Sequence, residues 1–210
     1  MDKLFQGIFE FQQEDFEQHR ELFQDLGSKQ DPHTLFIGCS DSRVVPNMIT
    51  RTAPGELFTI RNIANIVPPY RKTEEYVATT AAIEYAINVL KVEAIVVCGH
   101  SNCGGCNALF YDDKKLDSIP HVKKWLELAS DIKEKVNAAV PANDMQAREW
   151  MAEQLNVVLQ LEHLLTYPGV KEGLKAGTLS ILGWHYIIET GEIYNYNFDK
   201  RKFELLREND

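Results

Sequence analysis

Cys98, His100, Cys103 and Cys106 fall within the nine residues CGHSNCGGC, and Cys39 lies in a second short stretch, GCSDSR at 38–43. Thiolate and imidazole are the groups zinc prefers, and catalytic zinc sites commonly use three protein ligands and leave one position open. Cys39, His100 and Cys103 would make a Cys₂His set of that kind. The His-x-x-Cys spacing is short enough for one loop to offer both groups. Gly99, Gly104 and Gly105 let the backbone pass close to a metal or small ligand. Asp41 and Arg43 alternate with Cys39. Arginine is a permanent cation that can hold a carboxylate bidentately. The run therefore reads as a ligand followed by a pair that orients the site.

The same residues have plainer uses. Cysteine is among the most buried residue types, and Cys98 inside AIVVCG reads as a packed thiol. Cys103-x-x-Cys106 matches a redox spacing, but without a thioredoxin-like neighbourhood. A structural zinc site would show four ligands in two short pairs, and one cluster is visible. Asp41 and Arg43 alone could be a surface ion pair, which contributes little.

The elements that must position these groups can be outlined. Residues 2–25 read as helix, with Phe5, Ile8, Phe9, Phe16 and Phe23 among polar residues. LFIGCS (35–40), LFTIRN (57–62) and EAIVVCG (93–99) read as strands, the first and third as buried apolar runs. Residues 74–90 are Ala-rich and periodic, so helical, and a further helix starts near Cys103. Helical patterns follow at about 119–137 and 143–166. TLSILGWHYIIET and EIYNYNF read as two strands around a turn at 190–192. Alternating strands and helices predict one α/β domain over 1–210, with a central, mostly parallel sheet flanked by helices and a projecting N-terminal helical arm at 1–25. Sites in such sheets form beyond the carboxyl ends of the strands. Cys39 ends the first strand and His100 and Cys103 follow the third, so adjacency of those two strands would unite them. Spacing alone leaves that adjacency open.

The totals fit this outline. The chain has 210 residues, 44% hydrophobic and 25% charged, enough for one substantial core. A formal net charge of −9 argues against binding nucleic acid by phosphate neutralisation. No apolar run approaches the 18 or so residues of a membrane span, and the N-terminal stretch lacks the apolar core of a signal peptide. Four cysteines are too few for a disulfide scaffold. Reduced thiols and a cytoplasmic location are expected.

CSDSRV and GHSNCGG, with RNIAN between them, resemble the β-class carbonic anhydrases, strongly over residues 30–110 and by general pattern elsewhere. The resemblance implies one zinc ion per chain on Cys39, His100 and Cys103, an Asp41–Arg43 dyad, and reversible hydration of carbon dioxide by zinc-bound hydroxide. It implies a homodimer or homotetramer whose clefts draw residues from both chains. RNIANIVPPY and AAIEYAINVLKV resemble the plant-type subgroup, which places Gln30, Phe58 and Tyr85 in the cleft, with Ile63 and Gly104 beside the substrate. The other subgroup carries a tryptophan three residues before the first ligand cysteine, used in an inhibitory bicarbonate site. Phe36 stands there in this chain, although Arg61 and Tyr186 match the other partners.

The charge of a Cys₂His site is near neutral, so it should lower the pKa of bound water less than a His₃ site does. Turnover should therefore rise toward mildly alkaline pH. Asp41 could accept a hydrogen bond from the nucleophile, or swing from Arg43 onto zinc as a conditional fourth ligand and close the site. His19, His33, His121, His163 and His185 each read as surface or helix-face residues. Two other functions use the same residues. One is hydrolysis of carbonyl sulfide or carbon disulfide on this scaffold. The other is a structural or sensing zinc module, against which the Asp41–Arg43 pair argues.

Overall fold

The strand Thr34–Cys39 (β1) is buried along its whole length, as is all but the first residue of Ala94–His100 (β3). Such continuous apolar runs belong in the middle of a parallel sheet covered on both faces. The computed structural model, which describes residues 2–71 and 77–208, places them there. With Leu57–Asn62 (β2), Ser180–Tyr186 (β4), Ile193–Asn197 (β5) and Lys202–Leu205 (β6), they form a six-stranded sheet of order β2-β1-β3-β4-β5-β6. The first four strands in that order run parallel, and β5 and β6 add an antiparallel edge. The expected fold class is thus observed, with the arm as helix from Asp2 to Leu26.

Side chains alternate across the sheet. Leu35, Ile37, Ile95 and Val97 pack on one face with Ile83, Val157 and Leu161. Phe36, Val96 and Cys98 form a separate cluster with Trp184 and Tyr186. The long helix Met145–Leu164 lies close against the sheet because of two glycines. A Cβ on Gly99 would meet Val157 Cγ2 at 2.6 Å, and one on Gly183 would meet Leu161 Cδ1 at 2.6 Å.

Several elements differ from the sequence expectation. The helical pattern at 119–137 is broken into Pro120–Leu126, a 3₁₀ turn at Glu127–Ala129, and Asp131–Ala139. The tighter turn keeps Leu126, Ala129, Ile132 and Val136 buried in one cluster. The helix expected from residue 74 begins at Ala78, and residues 74–76 lie outside the described residues. A short helix, Pro46–Thr50, the helix Pro168–Ala176, and β6 had no clear periodic signal. The arm contains a π-helical segment at Phe11–Asp15 and a break at His19. None of its residues is buried, and Leu4, Phe5, Ile8 and Phe9 are exposed. No helix among the described residues is long and apolar enough to cross a membrane.

Candidate metal centre

β1 and β3 are neighbours, with Gly38 paired to Cys98, so Cys39 and His100 emerge at the same end of the sheet. The chain then turns through Asn102, whose left-handed backbone (φ 55°) suits asparagine, and delivers Cys103 to the same point. Cys39, His100 and Cys103 are all buried, and their ligand atoms lie within 4.8 Å of one another. The two Sγ atoms are 4.0 Å apart, close to the ~3.8 Å of two thiolates on a tetrahedral ion with Zn–S bonds of about 2.3 Å. His100 Nδ1–H donates to the Ser101 carbonyl at 2.9 Å, which leaves Nε2 bare and available to a metal. That Nε2 is buried with no hydrogen-bond partner.

The donor chemistry also fits a divalent cation. Thiols this buried keep their protons unless a cation offsets the thiolate charge. Cys39 is pushed up to about 12, first by hydrogen bonding with Cys103 and then by burial. Cys103 is raised too, chiefly by hydrogen bonding with Cys106. Cys98 is a packed thiol, pushed up to about 12 by burial. All four cysteines are free, so Cys103 and Cys106 are not a disulfide.

Asp41 stands beside this group in the grip of Arg43. Arg43 Nε donates to Oδ1 at 2.9 Å, Nη2 to Oδ2 at 2.8 Å, and the Arg43 main-chain N–H to Oδ1 at 3.0 Å. Hydrogen bonding from Arg43 holds the Asp41 carboxyl well below the usual carboxylate range. Asp41 Oδ2 lies 3.9 Å from His100 Nε2, next to the three donor atoms and outside the group they form. Arg43 also reaches the Asn102 carbonyl at 3.1 Å, tying the two ligand loops together. Arg61 donates to the carbonyls of Cys39 and Asp41.

The RNIAN loop closes the near side. Asn62 Oδ1 accepts from Ile66 N–H and its Nδ2 donates to the Ile66 carbonyl, across left-handed Ala64 and Asn65. Gly105 is required there, because a Cβ would sit 2.8 Å from that of Ala64. Gly104 has open space beside it. An open recess of about 420 Å³ is lined by Ser40, Asn62, Ile63, His121, Val122 and Trp125. Trp125 Nε1–H donates to the Ile63 carbonyl at 2.9 Å and so fixes the apolar wall.

The remaining sequence candidates lie elsewhere in the chain. Phe58 and Tyr85 are together, with ring centroids 5.9 Å apart. But Phe58 pairs with Leu35, four residues before Cys39 on β1, or about 13 Å at ~3.3 Å per residue. Gln30 is exposed in the loop before β1.

Two residue groups escaped the sequence reading. The first is a stripe on the long helix at i, i+3, i+7 and i+10: Glu153, Asn156, Gln160 and His163. Glu153 accepts from Cys103 N–H, Asn156 Nδ2 donates to the Ala64 carbonyl, Gln160 accepts from Val67 N–H, and His163 Nδ1–H donates to the Val67 carbonyl. The helix thereby satisfies backbone groups of both loops around the site. Polar residues at helical spacing on an otherwise apolar face were the available signal. The second is His185, expected at a surface or on a helix face, which is instead fully buried on β4 with Glu153 as its partner.

With this geometry in view, the comparisons with known proteins are specific. The family model described as "Carbonic anhydrase" matches residues 34–193. A carbonic anhydrase of Helicobacter pylori (strain J99) is 45% identical over 207 residues, covering 97% of this chain and 94% of that protein. The solved structure of the β-carbonic anhydrase CcaA superposes with a TM-score of 0.92 at 37% identity, covering 99% of this chain and 92% of that one. A structure described as one of two tetrameric β-carbonic anhydrases from Sordaria macrospora gives a TM-score of 0.77 at 31% identity, covering 92% and 95%. The match spans the sheet, the loops that carry Cys39, His100 and Cys103, and the long helix packed behind them, so the chain belongs to the β-class carbonic anhydrases.

Proposed function

We propose that the chain catalyses the reversible hydration of carbon dioxide to bicarbonate and a proton, with one zinc ion held by Cys39, His100 and Cys103. The observation that carries this reading is the convergence of those three buried donors, with His100 Nε2 turned to the shared point and otherwise unpartnered. When bound, zinc supplies Lewis-acid activation of water as a nucleophile. Asp41 stays ionised through the physiological range, so its carboxylate would be the acceptor that orients a water nucleophile toward the substrate carbon. Arg43 holds both Asp41 oxygens, so the carboxylate is oriented and kept from the ligand point. Ile63, Val122 and Trp125 give an uncharged substrate an apolar wall. The open space at Gly104 leaves room for a product oxygen near its amide.

Gln30, Phe58 and Tyr85 complete the cleft from a second chain, since Phe58 and Tyr85 lie well back along the sheet from the ligands of their own chain. The exposed Leu4, Phe5, Ile8 and Phe9 of the arm supply contact surface for that chain. The Sordaria macrospora relative, described as tetrameric, supports assembly into a dimer or a pair of dimers. Phe36 in place of tryptophan favours the plant-type subgroup, and the four free thiols suit a cytoplasmic setting.

The test is metal content with carbon dioxide hydration. The wild type is expected to hold one zinc per chain and to turn over. Cys39→Ser and His100→Ala should lose both properties, and Cys106→Ser should keep both. Full zinc content in either ligand variant defeats the assignment.

A further inference from the structure

Glu153 is 3% exposed and His185 fully buried, and neither has a role in the chemistry described above. They are joined to each other and to one metal ligand. Glu153 Oε1 accepts from the Cys103 main-chain N–H at 3.0 Å, and its Oε2 accepts from His185 Nε2–H at 3.0 Å. His185 is held in turn by rings. Trp150 meets it edge to face with centroids 4.8 Å apart, and Phe203 lies 6.3 Å away. His185 pairs in register with Gly99, the residue before ligand His100. The absence of a side chain at Gly99 lets the helix carrying Glu153 come close enough to reach the loop. A buried carboxylate is costly unless fully hydrogen-bonded, and here both of its oxygens are used.

We infer that Glu153 is a positioning residue for the metal ligand Cys103, and that His185 acts through Glu153. The carboxylate fixes the Cys103 amide, and His185 fixes the carboxylate, so Cys103 Sγ is set at the ligand point before an ion arrives. Such outer partners typically tune metal affinity by ten- to a hundredfold. The inference rests on the zinc reading above and adds to it a named support for one ligand.

The experiment uses the full-length protein, stripped of metal by a chelator and retitrated with Zn²⁺ against a chromophoric competitor. Co²⁺ is loaded in parallel, because its thiolate charge-transfer and d–d bands report ligand geometry. Glu153→Ala should weaken Zn²⁺ binding about ten- to a hundredfold and shift the Co²⁺ bands. Glu153→Gln should fall between it and the wild type, since an amide oxygen can still accept from Cys103 N–H while the amide nitrogen faces His185. His185→Ala should weaken binding less than Glu153→Ala. The double variant should match Glu153→Ala alone, because His185 has no other route to the metal. Val157→Ala, on the same helix and in the core, controls for loss of stability.

Zinc affinity within twofold of wild type in Glu153→Ala, with unchanged Co²⁺ bands, overturns the inference. Equal loss in Val157→Ala overturns it as well, since the effect is then only structural. Should Glu153→Ala fail to fold, Glu153→Gln decides alone, and wild-type affinity and bands in that variant reject the role. A wild type that binds no zinc removes the metal reading itself, and that outcome is visible before any variant is made.

Discussion

Phe36 meets Trp184 edge to face, with ring centroids 6.2 Å apart at 70°, in a buried patch three residues before Cys39 on β1. Arg61 donates nearby through Nε to the Cys39 carbonyl and through Nη2 to the Asp41 carbonyl. Phenylalanine offers no ring N–H to an anion where a tryptophan would, and Arg61 is already turned toward two main-chain carbonyls. Bicarbonate inhibition is therefore expected to be weak and non-cooperative in initial-rate assays. Steep cooperative inhibition would show that the patch opens to an anion.

Arg43 bridges both ligand loops and both oxygens of Asp41. Arg43→Ala is expected to keep zinc, because the three ligands are untouched, yet to lose about 10²- to 10⁴-fold in turnover through a misdirected Asp41. Metal analysis beside stopped-flow hydration checks both halves. Wild-type turnover in this variant would remove the dyad from the mechanism.

His163 titrates at a pH where stability can be followed directly. Burial lowers its pKa below the ordinary 6.5, against the opposing hydrogen bond to the Val67 carbonyl. The neutral ring is thus favoured by folding. Its contribution is complete above pH 6.5 and is lost as pH falls from 6.5 toward the lower folded value. Thermal unfolding of the metal-free protein should show a falling midpoint across that window. His163→Gln should flatten the slope, and identical slopes in the two proteins would discard this account.

The arm carries a ring cluster of its own. Phe16 and Phe23 stack at 5.4 Å, and Phe11 meets both edge to face. Leu4, Phe5, Ile8 and Phe9 remain exposed. On the proposal that the cleft draws on two chains, deleting residues 1–24 should weaken self-association and lower turnover together. Light scattering coupled to activity measures this, and a fully active 24.0 kDa monomer would refute it.

A Cys₂His donor group that could hold a metal was legible in the sequence because it resides in side-chain type and short spacing. Cys39 and His100 sit at strand ends with Cys103 three residues beyond, and the strands themselves announce burial by unbroken apolar runs. Asp41 and Arg43 lie two residues apart and meet by local geometry. Tertiary structure alone decided that β1 and β3 are neighbours, which turns three separate donors into one site. It also decided that Glu153 reaches Cys103 across 50 residues and Gln160 reaches Val67 across 93. It placed His185 in the core, and it set Phe58 beside Leu35, well back along the sheet from Cys39, with Tyr85 against it. These relations depend on how helices and strands distant in the chain pack, and on two glycines that set the depth of one helix. No local pattern carries that information, because each residue's own neighbours in sequence are the same whether or not the distant partner arrives.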